Sequence, residues 1–344
     1  MQHSSYISII LHAHSYSMRK FYLGLQLLVL ILAGIFSSCS HREKKVKKIV
    51  APRVAEFRDY WYSQGSEISS FALHQSKYGQ LHHGEATLEY SLATYSRSRQ
   101  LPIMTFDTAN ADHLRVMVLN TRKHFATGLF ENSVASTTVI PEVMREGPFA
   151  LKLTGSVHER EGLSWLQLNL DANKYNVQLR SFNANEGDIN RVAMLSVTED
   201  QLWCMIRTNP SALPVGKMRV IPGLTSMRLR QSVVKPVLAE LTLTNALQSD
   251  IPSAIKPGAA LQHYKIEYPV DGRRLDIFFQ KDFPFLIEGW KETYVDGQGS
   301  NSRKTTTSAH RTQTIRSTNS GMIQMLNNDD SEEMISDSTK TIQP

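Results

Sequence analysis

Between residues 52 and 296, apolar side chains recur mainly at every second position. Phe71 and Leu73 alternate with Ala72 and His74, and Leu88, Tyr90 and Leu92 alternate with Thr87, Glu89 and Ser91. The same period runs through Leu114, Val116 and Val118, through Phe149, Leu151 and Leu153, and through Leu166, Leu168 and Leu170. Successive side chains of a strand point to opposite faces, so this pattern predicts antiparallel strands with one face buried. Asp171-Ala172-Asn173-Lys174 interrupts it with turn formers before Tyr175, Val177 and Leu179, which predicts a hairpin over 165–182. Further strands are predicted over 263–268, 274–280 and 286–294. Two segments carry helical spacing instead. One, over 54–64, places Phe57, Tyr60 and Trp61 on one side; the other, over 198–208, opens with Thr198 three positions before Gln201 and stops at Asn209-Pro210. The sum is a mainly β fold: a curved antiparallel sheet, half-barrel or barrel-like, with one or two short packing helices.

The pattern ends abruptly on both sides of this single β-rich domain at 52–296. Residues 297–344 have no aromatic side chain and are crowded with Ser, Thr, Asn and Gln, which predicts a disordered polar tail unable to bury enough apolar surface. Upstream, Met18-Arg19-Lys20 precedes an apolar run over 21–36 and then Ser37-Ser38-Cys39-Ser40. A basic start, an apolar stretch and small residues at a cut form the grammar of a secretory signal. The apolar stretch is shorter than the roughly 20 residues of a membrane-spanning helix. The cut is similar to the lipobox of bacterial lipoproteins, with Phe36 where Leu is usual and Ser38 where Gly or Ala is usual. Residues 1–38 are therefore read as an over-extended start, with Met18 the true one, plus a lipoprotein signal peptide. Residues 39–51 are read as a lipidated Cys39 and a basic linker. Two or more acyl chains anchor a protein stably, so the membrane is an expected partner through the lipid on Cys39. The expected location is the outer membrane, facing the periplasm. The basic run at 41–48 either lies on anionic headgroups or is a solvated linker.

Charge adds little. The chain of 344 residues has 38 Lys plus Arg against 32 Asp plus Glu, and loss of the signal removes Arg19 and Lys20 but no acid. No basic stripe recurs in the body, so nucleic acid is not an expected partner. With Cys39 carrying lipid, Cys204 has no disulfide partner; following Trp203 in an apolar helical stretch, it reads as a packing residue.

Candidate chemistry is sparse. His74, His82, His83 and Glu85 form the one histidine cluster, but adjacent His82 and His83 point to opposite faces of a strand. At most one of them joins His74, short of the three or four ligands zinc needs, so neither metal nor cofactor is expected. Glu186-Gly187-Asp188, with Glu67 and Glu56, offers carboxylates for a hydrolase, provided they share a cleft. No catalytic residue is assigned, because neither a nucleophile elbow nor a glycine-rich phosphate loop occurs. Phe57, Tyr60, Trp61 and Tyr62 are candidates for a ligand mouth, or for a lid packed on the sheet.

Glu56-Phe57-Arg58-Asp59-Tyr60-Trp61-Tyr62, Lys77-Tyr78-Gly79, Lys123-His124-Phe125-Ala126-Thr127-Gly128, Asn173-Lys174-Tyr175, Glu186-Gly187-Asp188 and Gly289-Trp290-Lys291-Glu292-Thr293-Tyr294 together resemble an uncharacterised family of Bacteroidetes lipoproteins often labelled septum formation inhibitor Maf. The resemblance covers 54–294 and implies an envelope lipoprotein. The label's chemistry does not follow. Genuine Maf proteins are cytoplasmic nucleotide pyrophosphatases with a Ser-x-Ser-Pro-Arg-Arg motif, whereas Pro52-Arg53 here has no serine pattern before it. The resulting expectation is a membrane-anchored, non-enzymatic binding module that holds an apolar ligand, such as an acyl chain, or an envelope partner against the concave face. The alternatives are an envelope hydrolase using carboxylates and a structural subunit pairing through a sheet edge.

Overall fold

The computed structural model describes residues 54–317, except 64, 105–106, 143–148, 161, 184–185, 257, 298 and 300–301. Cys39, the signal segment, the basic linker and residues 318–344 lie outside the described residues. The described residues begin with α1 (Val54–Arg58), which widens into a π-helical turn at Asp59–Ser63. The first strands are β1 (Ser66–Lys77), β2 (Gln80–Ser96), the short β3 (Leu101–Pro102), β4 (His113–Thr127) and β5 (Phe130–Pro141). Next come β6 (Lys152–Glu159), β7 (Gly162–Asp171), β8 (Lys174–Ser181), β9 (Ile189–Met194) and β10 (Val197–Thr198). Two helices, α2 (Glu199–Thr208) and α3 (Leu224–Leu229), flank β11 (Gly216–Ile221). The chain then runs through β12 (Val237–Asn245), β13 (Leu261–Tyr268), β14 (Arg273–Gln280), β15 (Ile287–Asp296) and β16 (Arg303–Ser317).

All belong to one 16-stranded sheet. It consists of two antiparallel meanders, β1 to β9 and β11 to β16, with β16 lying between β15 and β1 and so joining them. The β10–β11 pair is parallel. The sheet is curved but not closed: β9 and β10 stand at opposite ends of the strand order. Local sequence explains the tight turns. Tyr78 and Gly79 both adopt positive φ (56° and 72°) between Lys77 and Gln80, the conformation that matches strand twist in a two-residue hairpin. The hairpin expected over 165–182 forms as β7 and β8, turning at Ala172 with φ 49°. At Gly84 a Cβ would lie 2.2 Å from the His124 carbonyl oxygen, so only glycine lets β2 approach β4 so closely.

Alternation holds at most positions where it was read, with Leu92, Val118, Phe149 and Leu170 only half-buried. Phe71, Leu73, Leu88, Tyr90, Leu114, Val116, Leu166, Leu168, Tyr175 and Val177 are all buried. The second helix forms with its capping box: the Gln201 N–H donates to Thr198 Oγ1 at 3.3 Å, and the Thr198 N–H donates to Gln201 Oε1 at 3.1 Å. Every residue of α2 except Trp203 is buried, so this helix lies within the curve of the sheet. Its Leu202, Cys204 and Ile206, with Leu224 and Met227 of α3, share one core with residues of both meanders, including Leu153, Leu168, Tyr264 and Ile277. Cys204 is a fully buried packing residue.

Three expectations are corrected. Helix α1 is α-helical only to Arg58; the wider turn that follows lets consecutive Tyr60 and Trp61 both pack toward the core. The strand expected from Phe149 starts at Lys152. Most consequentially, the domain does not end at 296. Arg303–Ser317 is β16, paired from Ser66↔Ser317 to His74↔Ser308 on one side and from Gly289↔His310 to Asp296↔Arg303 on the other. Its threonines suit a pleated backbone, and hydroxyl contacts compensate for the missing apolar area. Thr307 is fully buried and accepts from Gln75 Nε2 at 3.0 Å and the Ser76 N–H at 2.9 Å. Thr293 meets Thr306, and Ser69 meets Thr314, each at 2.9 Å.

A chain ending at Asp296 removes the strand that joins the meanders. We expect it to lack near-UV circular dichroism and a cooperative thermal transition, while a chain ending at Ser317 keeps both. A folded, monomeric 296-residue form would show that β16 is dispensable.

Candidate functional site

Helix α2 carries an acid at each of its first two positions and an arginine near its end, the arrangement that favours its dipole. Both ends are tied to the sheet by buried ion pairs. At the far end, Arg207 grips Glu67 of β1 through both nitrogens, Nη2 donating to Oε2 at 2.8 Å. Tyr60 OH donates to the same carboxylate, and Arg316 of β16 stands 3.6 Å from it. Although burial opposes ionisation of Glu67, Arg207 and these donors hold its carboxyl below the usual range. At the near end, Arg273 of β14 donates Nη2 to Glu199 Oε1 at 2.7 Å and Nε to Glu292 Oε1 of β15 at 2.7 Å. Tyr268 OH completes Glu199 at 2.6 Å, and Ser226 Oγ completes Glu292 at 2.6 Å.

Beside this second knot lies a small chamber of about 40 Å³. At about 10–15 Å³ per water it holds roughly three. Leu88, Leu119 and Leu275 form its apolar wall; Lys123, Glu199, Asp200 and Glu292 supply charge, and Trp203 and Trp290 meet edge to face at 5.3 Å. Half-buried Thr121, Trp203 and Thr225 lie on its open side. Lys123 on β4 is 6% exposed, and its ammonium stands 5.9 Å from the centre of the Trp290 ring. Burial pushes the Lys123 ammonium below the ordinary lysine range, partly countered by Glu292. Burial, reinforced by the charge of Glu199, lifts the Asp200 carboxyl to about 7, against a 2.9 Å hydrogen bond from the Leu224 N–H. Glu292 goes the other way: Arg273 and Lys123 overcome its burial and draw it down to about 2.

The residues singled out from sequence are dispersed. Trp61 is buried, Phe57 and Tyr60 are half-buried, and Tyr62 is exposed with its hydroxyl 2.6 Å from Glu142. Arg207 stacks over Trp61 at 5.3 Å and Arg316 over Tyr60 at 3.6 Å, so the stripe packs on the Glu67 knot, and none of the four lines the chamber. Of the carboxylates, Glu67 is engaged as above and Glu186 is held bidentately by Arg228 at 2.7 and 2.9 Å. Asp188 pairs with Arg180 at the surface at 3.7 Å, and Glu56 is exposed. They share no cleft, which removes the geometric condition for a hydrolase built from them. His74 and His83 face each other at 4.6 Å while His82 turns to the Lys77 carbonyl, and among the described residues no group of three or more His, Cys, Asp or Glu is placed to hold a metal. The chamber residues were missed because Lys123, Asp200 and Glu292 sit in alternating or capping patterns whose charges look solvated. The one available signal was acids and a lysine at positions where the alternation demands burial.

No family model and no curated protein matches the chain. A crystal structure described as a beta-barrel-like protein of domain of unknown function DUF1849 from Brucella abortus is similar to it at 9% identity and a TM-score of 0.42, over 73% of this chain and 96% of that one.

Arg207→Ala leaves Glu67 buried without its main partner. We expect a loss of about 3–5 kcal/mol in denaturant unfolding; a loss below about 1 kcal/mol would show that Tyr60 and Arg316 suffice. Asp200 supplies a pH signature. Folded, it binds its proton up to about 7 against an ordinary value of 3.8, so the native state holds more protons and this group's contribution to stability falls as pH rises through that window. Glu292, lowered to about 2 from 4.5, makes stability rise with pH over its own window. We expect Asp200→Asn to remove the fall between pH 4 and 7 and leave the acid-side rise intact in urea titrations.

Proposed function

We propose that this chain is a lipid-anchored binding module of the cell envelope that takes a small, uncharged, polar molecule into the chamber beside α2. The observation that carries the reading is that the full charges beside this largely closed space already have partners. Arg273 is held between Glu199 and Glu292, while burial disfavours the charged forms of both Lys123 and Asp200. A ligand bringing net charge would leave one group unpaired in a buried setting, a cost a neutral ligand avoids. The two tryptophans offer flat apolar faces, and the polar side chains offer donors and acceptors, the usual make-up of a small-molecule site.

The acyl-chain reading fares less well. The concave face expected to receive such a chain is filled by α2 and α3, and about 40 Å³ is far below the ~300–1,000 Å³ of sites for larger ligands. Anchoring and an outer-membrane position rest on the Met18-to-Cys39 signal and the lipoprotein resemblance. Among the described residues no helix is long and apolar enough to cross a membrane. A second reading, pairing with an envelope protein, draws on β9, the terminal strand of the sheet, where Val192 and Met194 are exposed.

The test is saturation-transfer NMR of the full chain with a panel of small neutral amides and polyols. We expect transfer from the chamber with acetamide-sized members, lost in Ser136→Leu, which fills the chamber from β5. Equal transfer in that variant, or none in the parent, would sink the reading.

A further inference from the structure

Four titratable side chains line the chamber, and they divide into two kinds. Glu199 and Glu292 are saturated by Arg273, Tyr268 and Ser226. Lys123 and Asp200 are not neutralised in this way. Among the described residues, no hydrogen bond or ion pair within bonding distance reaches the Lys123 ammonium; its contact is the Trp290 ring at 5.9 Å. Asp200 is held only by main-chain donors. The Lys123 side chain is buried and its ammonium has no protein acceptor among the described residues, so loss of the proton relieves a desolvation cost and leaves a free amine on the chamber wall. The charged groups acting on it are Glu292, Glu199 and Asp200, opposed by Arg273.

We propose that Lys123 is a carbonyl-capturing amine: its Nζ, facing the chamber opposite the acids of α2, condenses with a small aldehyde or ketone. The inference rests on the chamber reading above and names the chemical class of its ligand. In the step, Nζ adds to the carbonyl carbon, forming a C–N bond as the C=O π bond breaks. Nζ gives up its two protons, the oxygen takes up two and leaves as water as the C–O bond breaks, and the nitrogen lone pair closes the C=N bond of the imine. Nothing is oxidised or reduced. Asp200, on the same chamber and titrating near neutrality, is the group able to pass a proton to the departing hydroxyl. A carbonyl compound brings no net charge into the chamber, and one of two or three carbons matches the space.

The experiment incubates the full chain at pH 7 with acetaldehyde and cyanoborohydride, which reduces any imine to a stable N-ethyl lysine, followed by peptide mass mapping. We expect Lys123 to be labelled roughly tenfold or more faster than the average surface lysine, because burial keeps more of its amine unprotonated at pH 7. We also expect labelling to slow in Asp200→Asn and to be absent in Lys123→Met, whose fold is checked by circular dichroism. Ser136→Leu, with Lys123 intact, should lose the selective label as well. Labelling spread evenly over the lysines, with acetamide still binding by NMR, would overturn the covalent step and keep the chamber reading. Even labelling with no acetamide binding would overturn both.

Discussion

The structure depends on how α2 is held. A helix inside a curved sheet must satisfy its charges without water, and here each end does so with a partner from a different part of the second and first meanders: Glu199 with Arg273 of β14, Arg207 with Glu67 of β1. The charges lie at the ends the helix dipole favours, acid first and base last. Buried pairs of this kind gain little net energy over an apolar core, since desolvation offsets most of the attraction; what they impose is position. An α2 shifted by one turn would strand at least two buried charges. The helix is thereby registered against the sheet more sharply than Leu202, Cys204 and Ile206 could manage by apolar contact alone.

That registration creates the chamber. With Glu199 fixed by Arg273, the next residue, Asp200, is carried into the same interior space and tied to the start of α3 through Leu224. Strands β4 and β15 then bring Lys123 and Glu292 to the same place, although Lys123 and Glu292 come from opposite halves of the chain. The electrostatics follow from burial and crowding: Asp200 is desolvated beside the charge of Glu199, and the one arginine is taken up by Glu199 and Glu292, so the proton affinity of Asp200 rises. The electrostatics of the chamber are thus a by-product of the way the helix is anchored.

The sheet obeys a second constraint. Two meanders present four edges, and β16 removes two of them by lying between β15 and β1. It does so with threonine and serine hydroxyls, which pair with those of its neighbours and with Gln75 and Ser76. Composition is a poor guide to such a strand. Its stability is shared with partners more than 200 positions earlier in the chain, as in the register of Ser66 with Ser317.

Much was decided by local sequence. Period-two alternation was enough for β1, β2, β4, β7, β8 and β13 to β15, because side-chain direction in a strand is a local property. Thr198 and Gln201 set the start of α2 for the same reason, since a capping box closes within four residues. The Met18-to-Cys39 pattern is likewise local, and the proposed location rests on it. Tertiary structure alone decided the rest. Arg303–Ser317 looks like a solvated tail until two strands are placed beside it, and Glu67 looks like a free acid until Arg207 arrives from 140 positions away. Lys123, Asp200 and Glu292 become a site only when β4, α2 and β15 enclose a common space. Burial and charge pairing depend on groups distant in the chain, and a one-dimensional pattern carries no record of which distant groups will meet.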